Sequence, residues 1–360
     1  MKIIDRYIIR NFIVTFIFIT ISLQFLSIII DISQRMHRLE NNKGSIKEAL
    51  IFYYPFWSIW LINTFSPISV FLSVIFFTSR LTHHSEITAI LSSGISFRRL
   101  TVPYLISAII IGIIALIINY YFLPIANKKK NKFHYQYLLN PRYKNKYEKN
   151  QTISTQISKN EYIFIRNFSK EKNIGKECVY QKFDGKKLIY ILKSKNIFWY
   201  KKRKIYILFD YIETKINKNH DFFAIGNYKI KKIPITPDQF LPEEYIAETM
   251  NIHELKRFIN LKENKRNLNM HLNEYYQRTS LPFSTLIFTI LGLSISIKKK
   301  GEIAYNMIVG IVLSFFYIFF IEITKIYSNK DYIPSYLSVW FPNVIYGILT
   351  FLFYWNRNMN

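Results

Sequence analysis

The chain has 360 residues, 50% hydrophobic and 18% aromatic, with 49 Lys and Arg against 23 Asp and Glu, a net charge of +26. That apolar content excludes a disordered polycation. Six uncharged apolar stretches of about 20 residues or more exclude a soluble globular domain, because each can cross a hydrocarbon core of roughly 30 Å as a helix.

The lone Cys178 excludes a disulfide framework within the chain and a cysteine zinc site. Lys, Ile, Asn and Tyr are all over-used, which is the mark of a nucleotide-composition bias, so part of the positive charge is drift. No zinc-finger or RNA-binding signature accompanies it, and nucleic acid is not an expected partner. Anionic lipid headgroups are the more economical match for the charge.

The first apolar run is Asn11–Ile30, preceded by Lys2, Arg6 and Arg10. It is too long for a signal peptide, and the residues after it, DISQRMHR, offer no small-residue cleavage site, so it is a retained span. The second run, Ile51–Ser79, contains Pro55 and Pro67, which a membrane helix tolerates as kinks. The third is Leu100–Asn127. Between the second and third, SRLTHHSEITAILSSGISFRRL predicts a short amphipathic helix with Ile87, Ile90 and Leu91 on one face. Glu86 near its start suits the helix dipole, and Gly94 suits its end. Such a helix acts either as a lever for a motor subunit or as an ordinary interfacial helix.

From Lys128 to Arg278 no further span is found, and 33 of the 49 basic residues fall there. Runs such as EYIFIRNF (Glu161–Phe168), KLIYIL (Lys187–Leu192) and KIYILFDYI (Lys204–Ile212), with Asp184-Gly185 between two of them, predict an antiparallel β-domain of about 100 residues. Asn251 and Glu254 form a capping pair for a helix over Ile252–Tyr276. Three more spans follow, at Thr279–Ile297, Ile303–Ile321 and Tyr332–Trp355. The expected division is 1–127 for three spans with a helix at about 80–97, 128–250 for the β-domain, 251–278 for a connecting helix and 279–360 for three spans. The fold class is therefore a six-helix membrane protein with an inserted all-β, jellyroll-like domain.

Both termini lie on one side of the membrane. The short loops there carry Lys2, Arg6, Arg10, Arg80, Arg98, Arg99, Lys298, Lys299, Lys300 and Arg357, against Arg35, Arg38, Lys43, Lys47, Lys325 and Lys330 on the other side. Ten against six puts the termini inside and the β-domain outside.

Chemistry is sparse. No G-x-x-x-x-G-K-[ST] loop or G-x-S-x-G elbow occurs, and His253-Glu254 lacks the second histidine of a zinc-protease helix, since position 257 is Arg. His83, His84 and Glu86 lie on different faces of a helix rather than forming a metal site. Neither catalysis nor a cofactor is implied, and active transport would draw on an ATPase in another chain. Two basic clusters are candidates for phosphate-bearing lipid: Arg35 and Arg38 after the first span, and Lys128, Lys129, Lys130 and Lys132 after the third. Solvated or snorkelling side chains are the alternative for each. Glu322 and Lys325, one i, i+3 step apart, are expected to form a local ion pair.

The opening DRYIIRNF (Asp5–Phe12), SRLTHHSEITAILSSGIS (Ser79–Ser96), MNIHEL (Met250–Leu255) and EYYQRTSLPFSTLIFTILG (Glu274–Gly292) resemble the LptF/LptG family of lipopolysaccharide export permeases over nearly the whole length. The resemblance implies three spans, a periplasmic β-jellyroll and three spans in the bacterial inner membrane. It implies as partners a cytoplasmic ABC ATPase dimer, a second permease of the same type, periplasmic jellyroll bridge proteins and lipopolysaccharide. By the same resemblance Glu86, with Ser85 and Gly94 around it, couples to the ATPase, and Arg35, Arg38, Lys128 and Lys129 contact lipid A phosphates. Asp31 stands where some relatives carry a basic residue. A different reading is a membrane-anchored scaffold that recruits envelope proteins through its β-domain.

Overall fold

The computed structural model describes residues 3–138, 153–158, 161–169, 172–184, 187–201, 203–216, 221–234, 237, 247–261, 268–297 and 303–358. Six helices are long and apolar enough to cross a membrane. In chain order the helices are α1 (Ile3–Asn41), α2 (Ile46–Phe52), α3 (Tyr54–His83), α4 (Glu86–Ser92), α5 (Phe97–Ile117), α6 (Leu123–Phe133), α7 (Ile252–Leu261), α8 (Leu268–Ser296), α9 (Ile303–Asn329) and α10 (Ser335–Asn358). The strands are β1 (Ile153–Ser158), β2 (Glu161–Ser169), β3 (Ile174–Asp184), β4 (Lys187–Tyr200), β5 (Ile205–Lys215) and β6 (Phe222–Lys231).

α3 and α8 form the centre of the bundle. Of the residues in their most apolar stretch, 67% and 72% are buried, against 6% for α1. Hydrophobic contrast does not draw helices together in lipid, so packing and interhelical hydrogen bonds must. Asn306 Nδ2 donates to Ser79 Oγ at 2.9 Å, Tyr317 OH to Asn343 Oδ1 at 2.8 Å, and Asn343 Nδ2 to the Ser280 carbonyl at 3.0 Å. α1 is attached mainly at its two ends. Ile8 and Phe12 join a cluster with Val74, Leu81, Ile87 and Tyr104, and Leu39 joins one with Tyr53, Tyr54 and Phe133.

The expected division at 127/128 falls inside a helix. A π-turn over Ile118–Phe122 precedes α6, and another over His134–Leu138 continues it. The chain stays helical past its apolar run because Leu123, Ala126, Asn127, Lys130, Asn131 and Phe133 keep one buried face. The π-turn also accommodates Pro124 at the start of α6, where a missing N–H costs little. The helix expected at Ile252–Tyr276 is divided between α7 and the first part of α8, with 262–267 outside the described residues. Its capping box is present and reciprocal: Glu254 N donates to Asn251 Oδ1 at 2.8 Å, and Asn251 N to Glu254 Oε2 at 3.1 Å.

The six strands pair antiparallel in chain order within one sheet. Asp184 pairs with Lys187 across the expected hairpin, whose Gly185 lies outside the described residues. Cys178 is opposite Ser194 and Lys176 opposite Asn196, which leaves Glu177 unpaired. Ser194 is opposite Tyr211 and Asn196 opposite Phe209, which leaves Asp210 unpaired. Glu177 and Asp210 both have positive φ, 48° and 52°. Against β2 the register slips between Ile165 and Arg166, which makes Glu177 the extra residue of a bulge, the geometry that bends a strand. The sheet curls so that its walls enclose a core of Ile163, Cys178, Tyr180, Leu192, Ile197, Trp199, Tyr206 and Leu208. Lys231, at the end of β6, reaches across to lie 3.0 Å from the Tyr180 ring centroid. The inserted domain is thus one antiparallel sheet with its strands in chain order. Gly175 fits between its walls because a Cβ there would meet Ile165 at 2.5 Å and Phe168 at 2.8 Å. Burial pushes the Cys178 thiol up to about 12, which leaves it inert.

Candidate functional site: polar groups at the two ends of the bundle

The end of the bundle away from the β-domain carries the α3–α5 connection. Ser85 has φ +60° and makes no capping bond to α4, so the turn preceding Glu86 is set by backbone and not by the Ser85 hydroxyl. α4 ends where Ser93 N bonds to the Ala89 carbonyl, and Gly94 follows at φ +85° with its N bonded to the Leu91 carbonyl. Glycine takes that left-handed conformation without a Cβ penalty. On α4, Ile87 is buried, Ile90 and Leu91 are half-buried against the same cluster, and Thr88, Ala89 and Ser92 face outward. The sequence-derived amphipathic face is therefore present. Glu86 is half-buried, with Oε2 accepting from Tyr7 OH at 3.0 Å. Nearby, buried Asp5 pairs with Arg99 Nη2 at 2.7 Å. The His83 and His84 rings meet edge to face, and no group of three metal-ligating side chains occurs among the described residues. Lys2 and Lys298–Lys300 lie outside the described residues.

The opposite end, beside the β-domain, separates the expected phosphate contacts into two kinds. Arg35 is engaged: its Nε pairs with Asp31 at 2.7 Å and its Nη1 meets His134 Nδ1 at 3.0 Å. Asp31 is buried and also accepts from Tyr54 OH at 3.2 Å. Burial, with Arg35 and Lys130 close by, lowers His134 to about 4, so the ring is neutral and Nδ1 accepts from the guanidinium. Arg38 and Lys128, by contrast, are exposed. Lys129 is exposed too, with its Nζ 4.6 Å from the Phe56 ring centroid.

Lys130, which the sequence places in the same basic cluster, is engaged within the fold. Its Nζ lies 4.6 Å from the Trp60 ring centroid and 3.6 Å from Glu248 Oε2, and the side chain is 11% exposed. Burial raises the Glu248 carboxyl, with Lys130 opposing that shift. Asn127 Nδ2 donates to the Glu248 carbonyl at 3.2 Å. Buried Arg278 of α8 bonds Glu274 Oε1 at 3.1 Å and the Ala247 carbonyl at 2.9 Å. The chain returning from the β-domain is thereby fixed to α6 and α8. Helical phase would have placed Lys130 on the inward face with Asn127 and Asn131, but its acidic partner lies 118 residues further along the chain. Glu322 and Lys325 pair at 3.3 Å, as their spacing implies.

A bundle of six membrane-length helices, a β-sheet domain inserted after the third, and a short surface helix between the second and third define a multi-pass membrane protein. The family of the lipopolysaccharide export system permease LptF/LptG matches residues 6–356, and the chain belongs to that family. It is a permease of the lipopolysaccharide export system, a transmembrane subunit without catalytic activity of its own. No curated protein matches the chain.

Proposed function

We propose that this permease extracts lipopolysaccharide from the outer leaflet of the bacterial inner membrane and passes it to a periplasmic β-jellyroll bridge. A cytoplasmic ABC ATPase dimer drives the step, and a second LptF/LptG-type permease completes the cavity. In this reading both termini and α4 are cytoplasmic and the β-domain is periplasmic. The observation that carries it is the outward face of α4 with the Glu86 carboxylate at its start, at the end of the bundle away from the β-domain. An apolar face seated on the bundle and a free polar face suit a helix moved by a docked motor.

At the other end, Arg38, Lys128 and Lys129 supply exposed cations for lipid A phosphates. Arg35 contributes there through Asp31 and His134, holding α1 to the third span. The outer edge of β6 has no strand beside it among the described residues, and Phe223, Ile225 and Tyr228 are exposed on it. That is a surface on which a bridge protein adds a strand. Removing several acyl chains from a bilayer costs about 0.8 kcal/mol per methylene, which calls for an ATPase partner.

The test is Glu86→Lys in the reconstituted complex. Lipopolysaccharide-stimulated ATP turnover should vanish while the permease stays folded, and unchanged turnover would sink the coupling role.

A further inference from the structure

Tyr7 and Glu86 are 79 positions apart and bring α1 and α4 into direct contact. We infer that Tyr7 is a positioning residue: its hydroxyl holds the Glu86 carboxylate and ties α4 to the base of α1, so that α1 carries each displacement of α4 to the lipid-capturing end. This rests on the coupling role proposed for Glu86.

Three observations support the joint. The Tyr7 hydroxyl occupies Glu86 Oε2 at 3.0 Å, and no bond to the other carboxylate oxygen is found among the described residues. Next to this pair in sequence, Ile8 and Ile87 are both buried in one cluster, so an apolar contact region adjoins the hydrogen bond. Asp5, two residues before Tyr7, is pinned to Arg99 at the start of α5, so the far side of the same connection is held as well.

α1 has the properties of a rod. It is 39 residues of uninterrupted helix without Pro or Gly, about 58 Å long at 1.5 Å per residue. Its middle is exposed at Val14, Phe18, Phe25 and Leu26, so little packing there absorbs a displacement. Its far end carries Asp31, Arg35 and Arg38, where Arg35 reaches His134 beyond α6. The Tyr7 ring is 44% exposed, so the hydroxyl adds little to folding and its deletion isolates the joint.

The test uses the complete complex, with its ATPase and second permease, in nanodiscs containing lipopolysaccharide, and measures lipid released per ATP hydrolysed. Tyr7→Phe should lower that ratio about five-fold, the size of one modest hydrogen bond, while the ATPase still copurifies. Combining it with Glu86→Ala should cost no more than Glu86→Ala alone, because both changes remove the same joint. An unchanged ratio in Tyr7→Phe beside an impaired Glu86→Ala would overturn the inference and leave the coupling role standing. Additive losses, or loss of the ATPase from the Tyr7→Phe complex, would overturn it too. A Glu86→Ala complex that exports normally would overturn the coupling role and this inference with it.

Discussion

The two ends of α1 use charge in opposite ways. At the base, Glu86 is half-buried and one of its carboxylate oxygens is bonded by Tyr7. At the far end, Asp31, Arg35, Tyr54 and His134 form a dense network, beside which Arg38, Lys128 and Lys129 are exposed. Basic residues that look alike in sequence therefore divide into those that build the fold and those free for a ligand. The two groups should separate cleanly on mutation.

The largest effect is expected at Asp31. Asp31→Ala strands Arg35, whose side chain is 27% exposed, and removes the acceptor of Tyr54; breaking such a pair costs about 3 kcal/mol. Arg38→Ala should change stability by no more than about 0.5 kcal/mol and yet weaken retention of lipopolysaccharide. Thermal unfolding in detergent and lipid co-purification check the two halves. Equal stability losses would erase the distinction. Lys130→Ala against Lys128→Ala is the same contrast on α6, with about 2 kcal/mol expected for the first because Glu248 loses its cation while half-buried. Little change is expected for the second.

A pH titration sharpens the picture at His134. The unfolded chain binds this proton near pH 6.5, whereas the folded site resists it until about 4. The unfolded state therefore gains protons first, and stability present above pH 6.5 falls as pH drops towards 4, by about 3 kcal/mol. The groups facing the ring, Arg35, Lys130 and Arg38, all act in that direction. His134→Gln should flatten this part of the profile, as measured by unfolding across pH 4–7.

Much of the architecture was legible because lipid imposes strong rules. The six apolar runs each became a helix, and the Asn251–Glu254 box and the Glu322–Lys325 pair were readable because their partners are three residues apart. What was not legible depends on residues distant in sequence. The contact of Arg35 with His134, 99 positions away, and the pairing of Lys130 with Glu248, beyond the β-domain, could not be read from local spacing. The bulge at Glu177 was also out of reach, since it shows only in the register of β3 against β2. Tyr7 was visible only as part of an opening motif, and the bond to Glu86 is what gives it a role.

Smaller effects test the turn geometry around α4. Gly94→Ala should cost about 1 kcal/mol through its left-handed φ alone, because no atom lies within 4 Å of the added Cβ. A drop in the unfolding temperature of the isolated permease without loss of fold would register it.

The smallest change is at Ser85, which the sequence reading grouped with Glu86. Its hydroxyl makes no capping bond to α4, and its φ of +60° is one that serine adopts at a cost. Ser85→Ala should therefore fall far short of the roughly 1 kcal/mol that removal of a working N-cap costs. Ser85→Asn should stabilise by about 0.5 kcal/mol, since asparagine visits this conformation more readily. Paired melting curves of the two variants decide it. A full capping loss in Ser85→Ala would mean that the serine, and not the backbone, sets the approach to Glu86.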